Sequence, residues 1–314
     1  MLEWAGMSLV PSVETRIPLG KSGLAVAPLG WGMWRFGGGD RASARRRVEA
    51  ALEIGCTLFD TADIYGSGGE RGFGGAESLL GEVLREAPQL RERMVLATKA
   101  GITPPVPYDS SARYLLEACE ASLRRLGVER IDLYQIHRPD LLAHPAEVAQ
   151  ALERLRSAGK IQAAGVSNHT PAQVDALRAH LPFDLATVQN EFSPLVIEPL
   201  SDGTLDQAMQ RGIAMLAWSP LAQGRLAVSA GEAPIEPRVA AVIHALDAVA
   251  AARAGTPRSA VAYAWVMAHP ARPIPLIGSQ NPARIREAHS AYSVQLTREE
   301  WYRILVAARG ARMP

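Results

Sequence analysis

The chain has 314 residues, 48% hydrophobic and 21% charged, and Lys+Arg 33 against Asp+Glu 32 leaves a formal charge of +1. Such apolar content excludes intrinsic disorder, and the balanced charge gives no electrostatic case for nucleic acid or an anionic membrane as partner. The length accommodates one large domain or two ordinary ones, with core enough to need no disulfide or metal staple.

Thirty arginines accompany only three lysines, Lys21, Lys99 and Lys160. Arginine stays charged in any protein setting, whereas a buried lysine titrates, so a lysine at a chemically loaded position is informative. Cys56 and Cys119 stand far apart in apolar helical surroundings and read as buried thiols. With no CxxC pair, a reducing, cytoplasmic compartment is expected. Residues 1–12 carry no basic stretch ahead of an apolar run, so no signal peptide is expected there. No run approaches the ~18 apolar residues of a membrane span.

In chain order, residues 1–15 form an extension expected to be flexible, and residues 16–314 one domain. Residues 16–27 read as a hairpin about Gly20-Lys21-Ser22-Gly23. This Gly-Lys-Ser is no phosphate loop, because Thr15 stands where that loop needs glycine. Short β-leaning runs then recur at 26–31, 57–59, 94–97, 131–136, 162–166, 185–188, 214–217 and 274–277. Helical patterns separate them at 42–54, 75–86, 111–126, 145–157, 171–180, 205–211, 238–254 with 257–268, and 282–291. A last helix spans about 297–308. Thr170-Pro171, Thr256-Pro257, Asn281-Pro282, and Thr297 with Glu300 mark helix starts. Eight β-then-α units predict an α/β fold, a (β/α)8 TIM barrel with an N-terminal β-hairpin and extra C-terminal helices. A doubly wound sheet would want GxGxxG after an early strand; the stretch 66–75 has the glycines without the spacing.

Barrel active sites lie at the C-terminal mouth, so the residues that follow each strand matter most. They are Gly32, Met33 and Trp34; Asp60 and Tyr65; Thr98 and Lys99; His137; Ser167 and Asn168; Gln189 and Asn190; Trp218 and Ser219; Gly278 and Ser279. Each alone has an ordinary explanation: Asp60 as a helix cap, His137 as a core histidine, Trp218 as packing. Gathered at one barrel end, they converge on one pocket. A tyrosine hydroxyl, with a pKa of ~10, exchanges protons poorly at neutral pH. A lysine beside it stabilises tyrosinate and lowers that pKa. An aspartate holds the lysine, and a histidine orients the substrate oxygen or relays a proton. The set suits proton donation to a carbonyl oxygen but holds no electrons, so a reduction needs a cofactor. Rival chemistries lack their parts. There is no HExxH or HxH for a metal site, no GxSxG for a serine nucleophile, and only the chance pair Asp60 and Glu191 for a glycosidase.

These residues sit in FDTADIYG at 59–66, ATKAG at 97–101, DLYQIHRPD at 132–140, GKIQAAGVSN at 159–168, QNEFSP at 189–194, AWSPL at 217–221 and PLIGS at 275–279. In this order they resemble the aldo-keto reductase superfamily, in its bacterial oxidoreductase branch, over nearly the whole chain. The resemblance implies a catalytic tetrad of Asp60, Tyr65, Lys99 and His137, with Tyr65 the general acid. It implies NADP(H) bound extended over the barrel mouth, starting beside Gly32 and Met33. Ser167, Asn168 and Gln189 would hold the nicotinamide carboxamide, and Trp218 would stack on the ring. The loop of Ser219, Pro220, Leu221, Gly224 and Arg225 would cover the pyrophosphate. Gly278, Ser279, Gln280 and Arg284 would meet the adenosine phosphate, and Glu287 the adenine. Two departures stand out: Gln280 and Asn281 occupy the place of a basic residue, and Ala288 that of an adenine-contacting Asn. Arg284 still favours NADP(H), with NAD(H) as the alternative. Trp34 and Arg35, with the loop 66–75, would shape the substrate pocket. The expected partner is a small carbonyl or alcohol, with no nucleic acid, no membrane and the oligomeric state open. A cofactor-binding regulatory subunit on the same fold is the alternative function; the complete tetrad speaks against it.

Overall fold

The computed structural model describes residues 9–228, 236–253 and 255–314. Two strands, β1 (Ile17–Pro18) and β2 (Ala25–Val26), pair antiparallel with Ile17 opposite Val26. Eight parallel strands follow: β3 (Gly30–Gly32), β4 (Leu58–Asp60), β5 (Val95–Ala100), β6 (Ile131–Ile136), β7 (Ile161–Ser167), β8 (Thr187–Glu191), β9 (Ala214–Trp218) and β10 (Ile274–Ile277). They pair in sequence order and close where β10 meets β3, with Leu276 beside Gly30. The expected (β/α)8 barrel is what the chain forms.

The helices alternate with the strands as α1 (Arg41–Glu53), α2 (Gly75–Glu86), α3 (Ala112–Leu126), α4 (Pro145–Ser157), α5 (Pro171–Arg178), α6 (Thr204–Arg211), α7 (Pro237–Ala251), α8 (Arg258–Met267) and α9 (Pro282–Glu287). The last, α10 (Arg298–Arg309), packs on α7. Complete capping boxes start α5 at Thr170 with Gln173 and α10 at Thr297 with Glu300. Asn281 caps α9 by accepting from the amides of Ala283 and Arg284.

Several boundaries differ from the sequence reading. The run 26–31 is not one strand, because Val26 pairs into the hairpin and the barrel strand begins at Gly30. Pro28, which cannot donate to a ladder, lies between the two. The expected helix 282–291 stays α-helical only to Glu287, then tightens into a 3-10 turn over Ala288–Ser293. Pro257, not Thr256, is the extended residue before α8. Short 3-10 turns at Pro88–Arg93, Glu198–Leu200 and Ala222–Ala227 had no periodic signal. Of the 1–15 extension, residues 1–8 lie outside the described residues; Val10 is buried and Val13 packs on the core.

Two apolar layers hold the molecule. The larger fills the space between strands and helices. The smaller runs inside the barrel and joins Ile17, Leu19 and Val26 of the hairpin to Leu58, Ala214 and Ile274 at the strand starts. The hairpin therefore stops the N-terminal end, and only the opposite end is open for chemistry. Among the described residues no helix is long and apolar enough to cross a membrane.

The polar upper barrel depends on one missing side chain. A Cβ on Gly165 of β7 would run into Thr187 Oγ1 and stand 3.0 Å from the Thr187 carbonyl oxygen and 3.2 Å from Gln135 Cγ. Gly165→Ala is expected to cost about 1–3 kcal/mol of stability by overpacking. An unchanged urea midpoint would contradict this close fit.

Candidate active site

The strand ends converge as the barrel requires. Asp60 ends β4, Lys99 lies in β5, and His137 directly follows β6. Lys99 is fully buried; its Nζ donates to Asp60 Oδ2 at 2.6 Å, to the Thr61 carbonyl at 2.9 Å and to Tyr65 OH at 3.2 Å. The three donors of one ammonium are thus all placed. The second carboxylate oxygen of Asp60 accepts from Gln189 Nε2 at 2.9 Å and Gln135 Nε2 at 3.1 Å. Thr187 Oγ1 donates to Gln135 Oε1 at 3.2 Å and fixes that amide. Tyr65 is half-buried and meets the His137 ring edge-on, with centroids 5.6 Å apart.

The charges follow from this burial. Burial is the largest influence on Lys99 and pushes its pKa down, but Asp60 and Tyr65 together outweigh it and hold the ammonium above 10.5. Burial likewise pushes the Tyr65 phenol above 10.0; Lys99 pulls it down without winning, and Asp60 adds to the rise. The expected net lowering of the tyrosine pKa is therefore not found, because desolvation exceeds the lysine's pull. The phenol keeps its proton. His137 is nine-tenths hidden, and burial, Lys99 and Arg138 drive its pKa well below 6.5. It is a neutral imidazole, with Nδ1 buried and without a hydrogen-bond partner among the described residues.

One cavity of about 1270 Å³ opens above this cluster. Of the expected site residues, Gly32, Met33, Trp34, Arg35, Asp60, Tyr65, His137, Ser167, Asn168, Gln189, Trp218, Ser219, Pro220, Leu221, Gly224, Gly278, Ser279, Gln280, Arg284 and Glu287 line it. Lys99 lies beneath, reaching the wall through Tyr65. Arg225 is not on the wall, and its Nε turns back to the Ala222 carbonyl at 3.2 Å. Ile64, Ile102, Arg138, Arg258 and Tyr263 also line the wall, without a site signal in the sequence, and Gln223 lines it within the loop 219–225 expected there. Sequence reasoning missed the supports Gln135 and Thr187, though Gln135 shares the alternate face of β6 with His137.

The cavity is shaped for an extended, polar-ended ligand. It runs continuously from Tyr65 to Arg284 and Glu287. Asn168, at φ 61°, donates to the His137 carbonyl and to Ser167 Oγ, and accepts from Trp218 Nε1 at 3.1 Å. Ser167 Oγ in turn donates to the Gln189 carbonyl at 2.9 Å. These bonds fix the three amide-binding candidates and Trp218 relative to one another. Arg258 grips Asp247 through two bonds of 2.6 and 2.7 Å and the Val228 carbonyl at 2.8 Å, so α8 tethers the chain that follows β9. Such a wall fits a dinucleotide: amides at the Tyr65 end and, at the other, Arg284, a cation with no ion pair among the described residues.

A family model for the aldo/keto reductases matches residues 28–307. The chain belongs to the aldo/keto reductase family. It is 54% identical over 310 residues to a 6-dehydroglucose reductase of Novosphingobium aromaticivorans, covering 98% of this chain and 100% of that one. It is 38% identical over 309 residues to the oxidoreductase YdhF of Escherichia coli, covering 95% and 99% of the two chains. A solved glycerol dehydrogenase of Gluconobacter oxydans superposes with a TM-score of 0.80 at 27% identity, covering 97% of this chain and 96% of that one. This member of the family is an NADP(H)-dependent oxidoreductase acting on carbonyl groups.

A second buried acid supports the tetrad from below. Asp63 is fully buried, its amide donates to the Lys99 carbonyl at 3.0 Å, and it accepts from Tyr114 OH at 3.2 Å. Burial, and then the charge of Glu77, push its pKa up to about 8. Between the ordinary 3.8 and about 8, only the unfolded chain releases this proton. Rising pH therefore drains stability, by up to ~1.4 kcal/mol per pH unit. Asp63→Asn is expected to gain stability relative to the parent from pH 5 to 8, read from urea midpoints. A difference independent of pH would contradict the assignment.

Proposed function

We propose that this protein reduces a small aldehyde, with a sugar oxidised to the aldehyde at C6 as the first substrate to test, and that Tyr65 delivers the proton. The observation that carries the reading is the single ammonium of Lys99, which bonds Asp60 and Tyr65 OH together. The sugar is suggested by the relative named 6-dehydroglucose reductase.

Bound NADPH supplies the hydride that a carbonyl carbon accepts. As the carbonyl oxygen gains negative charge, the Tyr65 hydroxyl donates its proton to it. The tyrosinate left behind is stabilised by Lys99 at 3.2 Å. Asp60 keeps that lysine charged and fixed, and Gln135 and Gln189 keep Asp60 from turning away. His137, neutral and edge-on to Tyr65, orients the carbonyl oxygen. Because the phenol holds its proton in the free protein, the acid is ready before substrate arrives.

For the cofactor, we assign Ser167, Asn168 and Gln189 to the carboxamide, Trp218 to the nicotinamide ring, and residues 219–224 to the pyrophosphate. Gly32 and Met33, at and just after the end of β3, would flank the ring. Gly278, Ser279 and Arg284 would meet the adenosine phosphate and Glu287 the adenine. Gln280 is committed elsewhere, donating to the Gly32 carbonyl at 3.2 Å, so Arg284 carries phosphate recognition. Arg225 is left out of this assignment. We also infer a cytoplasmic location; the free buried thiols Cys56 and Cys119 support it.

Tyr65→Phe is expected to lower kcat by about 10²–10⁴-fold, the usual contribution of a positioned acid, while NADPH affinity changes less than about threefold. Turnover near the parent level would remove Tyr65 from this role. Arg284→Ala is expected to weaken NADPH about tenfold and NADH hardly at all, since only NADPH carries the phosphate. Equal losses for both nucleotides, in fluorescence titrations, would count against it.

A further inference from the structure

Two cations on the cavity wall touch none of the reacting groups in the mechanism above, although the charge of Arg138 helps keep His137 neutral. Arg35 follows β3, and Arg138 follows β6 directly after His137. Neither guanidinium is ion-paired among the described residues. Arg35 is exposed and lies over the Trp34 ring, 5.1 Å from its centroid. Arg138 is half-buried, and its charge acts on both Tyr65 and His137. Glu191 feels that charge too, but stands off the cavity wall and makes no ion pair with it.

The remaining charges on the wall are compensated or distant. Asp60 is paired with Lys99, and Arg258 with Asp247. Arg284 and Glu287 belong to the adenosine end, where Glu287 accepts from Ser259. Most of the cofactor candidates come from the loops after β7 to β10, whereas Arg35 and Arg138 bracket the half of the mouth between β3 and β6. Tyr65 lies in that half, after β4. Uncompensated guanidiniums in a walled cavity focus positive potential onto whatever enters. A neutral carbonyl compound leaves that potential unused. A guanidinium fork matches a carboxylate or phosphate in geometry and charge.

We propose that the substrate end of this cavity binds carbonyl compounds that carry a carboxylate or phosphate group, with Arg138 as the anchor of the anion and Arg35 as the rim cation that draws it in. The inference rests on carbonyl reduction at Tyr65 and extends it from neutral sugars to acidic aldehydes and ketones.

Matched pairs test it on the NADPH-loaded enzyme: succinic semialdehyde against butanal, and glyceraldehyde 3-phosphate against glyceraldehyde. The acid of at least one pair should be preferred about tenfold in kcat/KM at low salt, as one charge-assisted hydrogen bond provides. Which pair shows it separates carboxylate from phosphate recognition. The preference should shrink as ionic strength rises. Arg138→Leu should abolish it, Arg138→Lys should keep part of it, and Arg35→Ala should weaken it less. NADPH dissociation constants of these variants should stay within about twofold of the parent. Neutral aldehydes reduced as well as their acidic partners would overturn the proposal and leave Tyr65 as the acid. Loss of NADPH affinity in Arg138→Leu would also overturn it, by assigning that arginine to the cofactor. Failure to reduce any of the four would instead strike the reductase reading beneath it.

Discussion

Lys99 and Asp60 form an ion pair of 2.6 Å with almost no exposure to solvent. Burying two charges costs several kcal/mol each, and their attraction repays that only when every remaining polar valence is met. Here the valences are met: Thr61 and Tyr65 take the other ammonium protons, and Gln135 and Gln189 serve the second carboxylate oxygen. The pair comes from β4 and β5, and its partners come from β6, β8 and the chain just after β4. Closing the barrel is therefore what satisfies the pair, and satisfying the pair fixes the register of the strands at the mouth. Gly165 belongs to the same constraint, because its missing side chain is the space that Thr187 and Gln135 occupy.

From that pair the chemistry of the mouth follows. A fixed positive charge beneath Tyr65 makes the phenol a usable acid, while burial keeps it protonated at rest. The same charge, with Arg138 and burial, keeps His137 neutral, so the histidine can orient an oxygen without adding another charge. The mouth then divides around its circumference. Loops after β7 to β10 present amides, an indole and a glycine-bearing turn suited to a long nucleotide. Loops after β3 to β6 present the acid, the histidine and two guanidiniums without an ion pair among the described residues, suited to a small substrate. The stopped N-terminal end leaves this mouth as the open one.

Much of this was legible in the sequence because parallel strands buried on both faces read as short apolar runs, and all eight runs found their strands. The hairpin over 16–27 was legible and pairs Ile17 with Val26, whereas the apolar run 26–31 failed as one strand because Val26 belongs to that hairpin and the barrel strand begins at Gly30. The tetrad residues were legible from their place after strands and from their motifs. Gln135 and Thr187 were not, because facing the barrel interior is a property of register, and register is a tertiary fact. Arg258 escaped for another reason: it starts α8 rather than following a strand, and it lines the cavity where its bonds to Asp247 and the Val228 carbonyl hold it. The direction of the Tyr65 pKa was misjudged because the sequence shows the lysine beside it but not the desolvation around it.

Tyr65 stands as a protonated phenol above a fixed ammonium. A difference titration of phenolate absorbance, parent minus Tyr65→Phe, isolates this one group. No difference signal is expected until above about pH 10, the ordinary tyrosine value. A phenolate signal that grows in near neutral pH would contradict this, since the lysine would then have overcome burial and the resting enzyme would hold no proton to give.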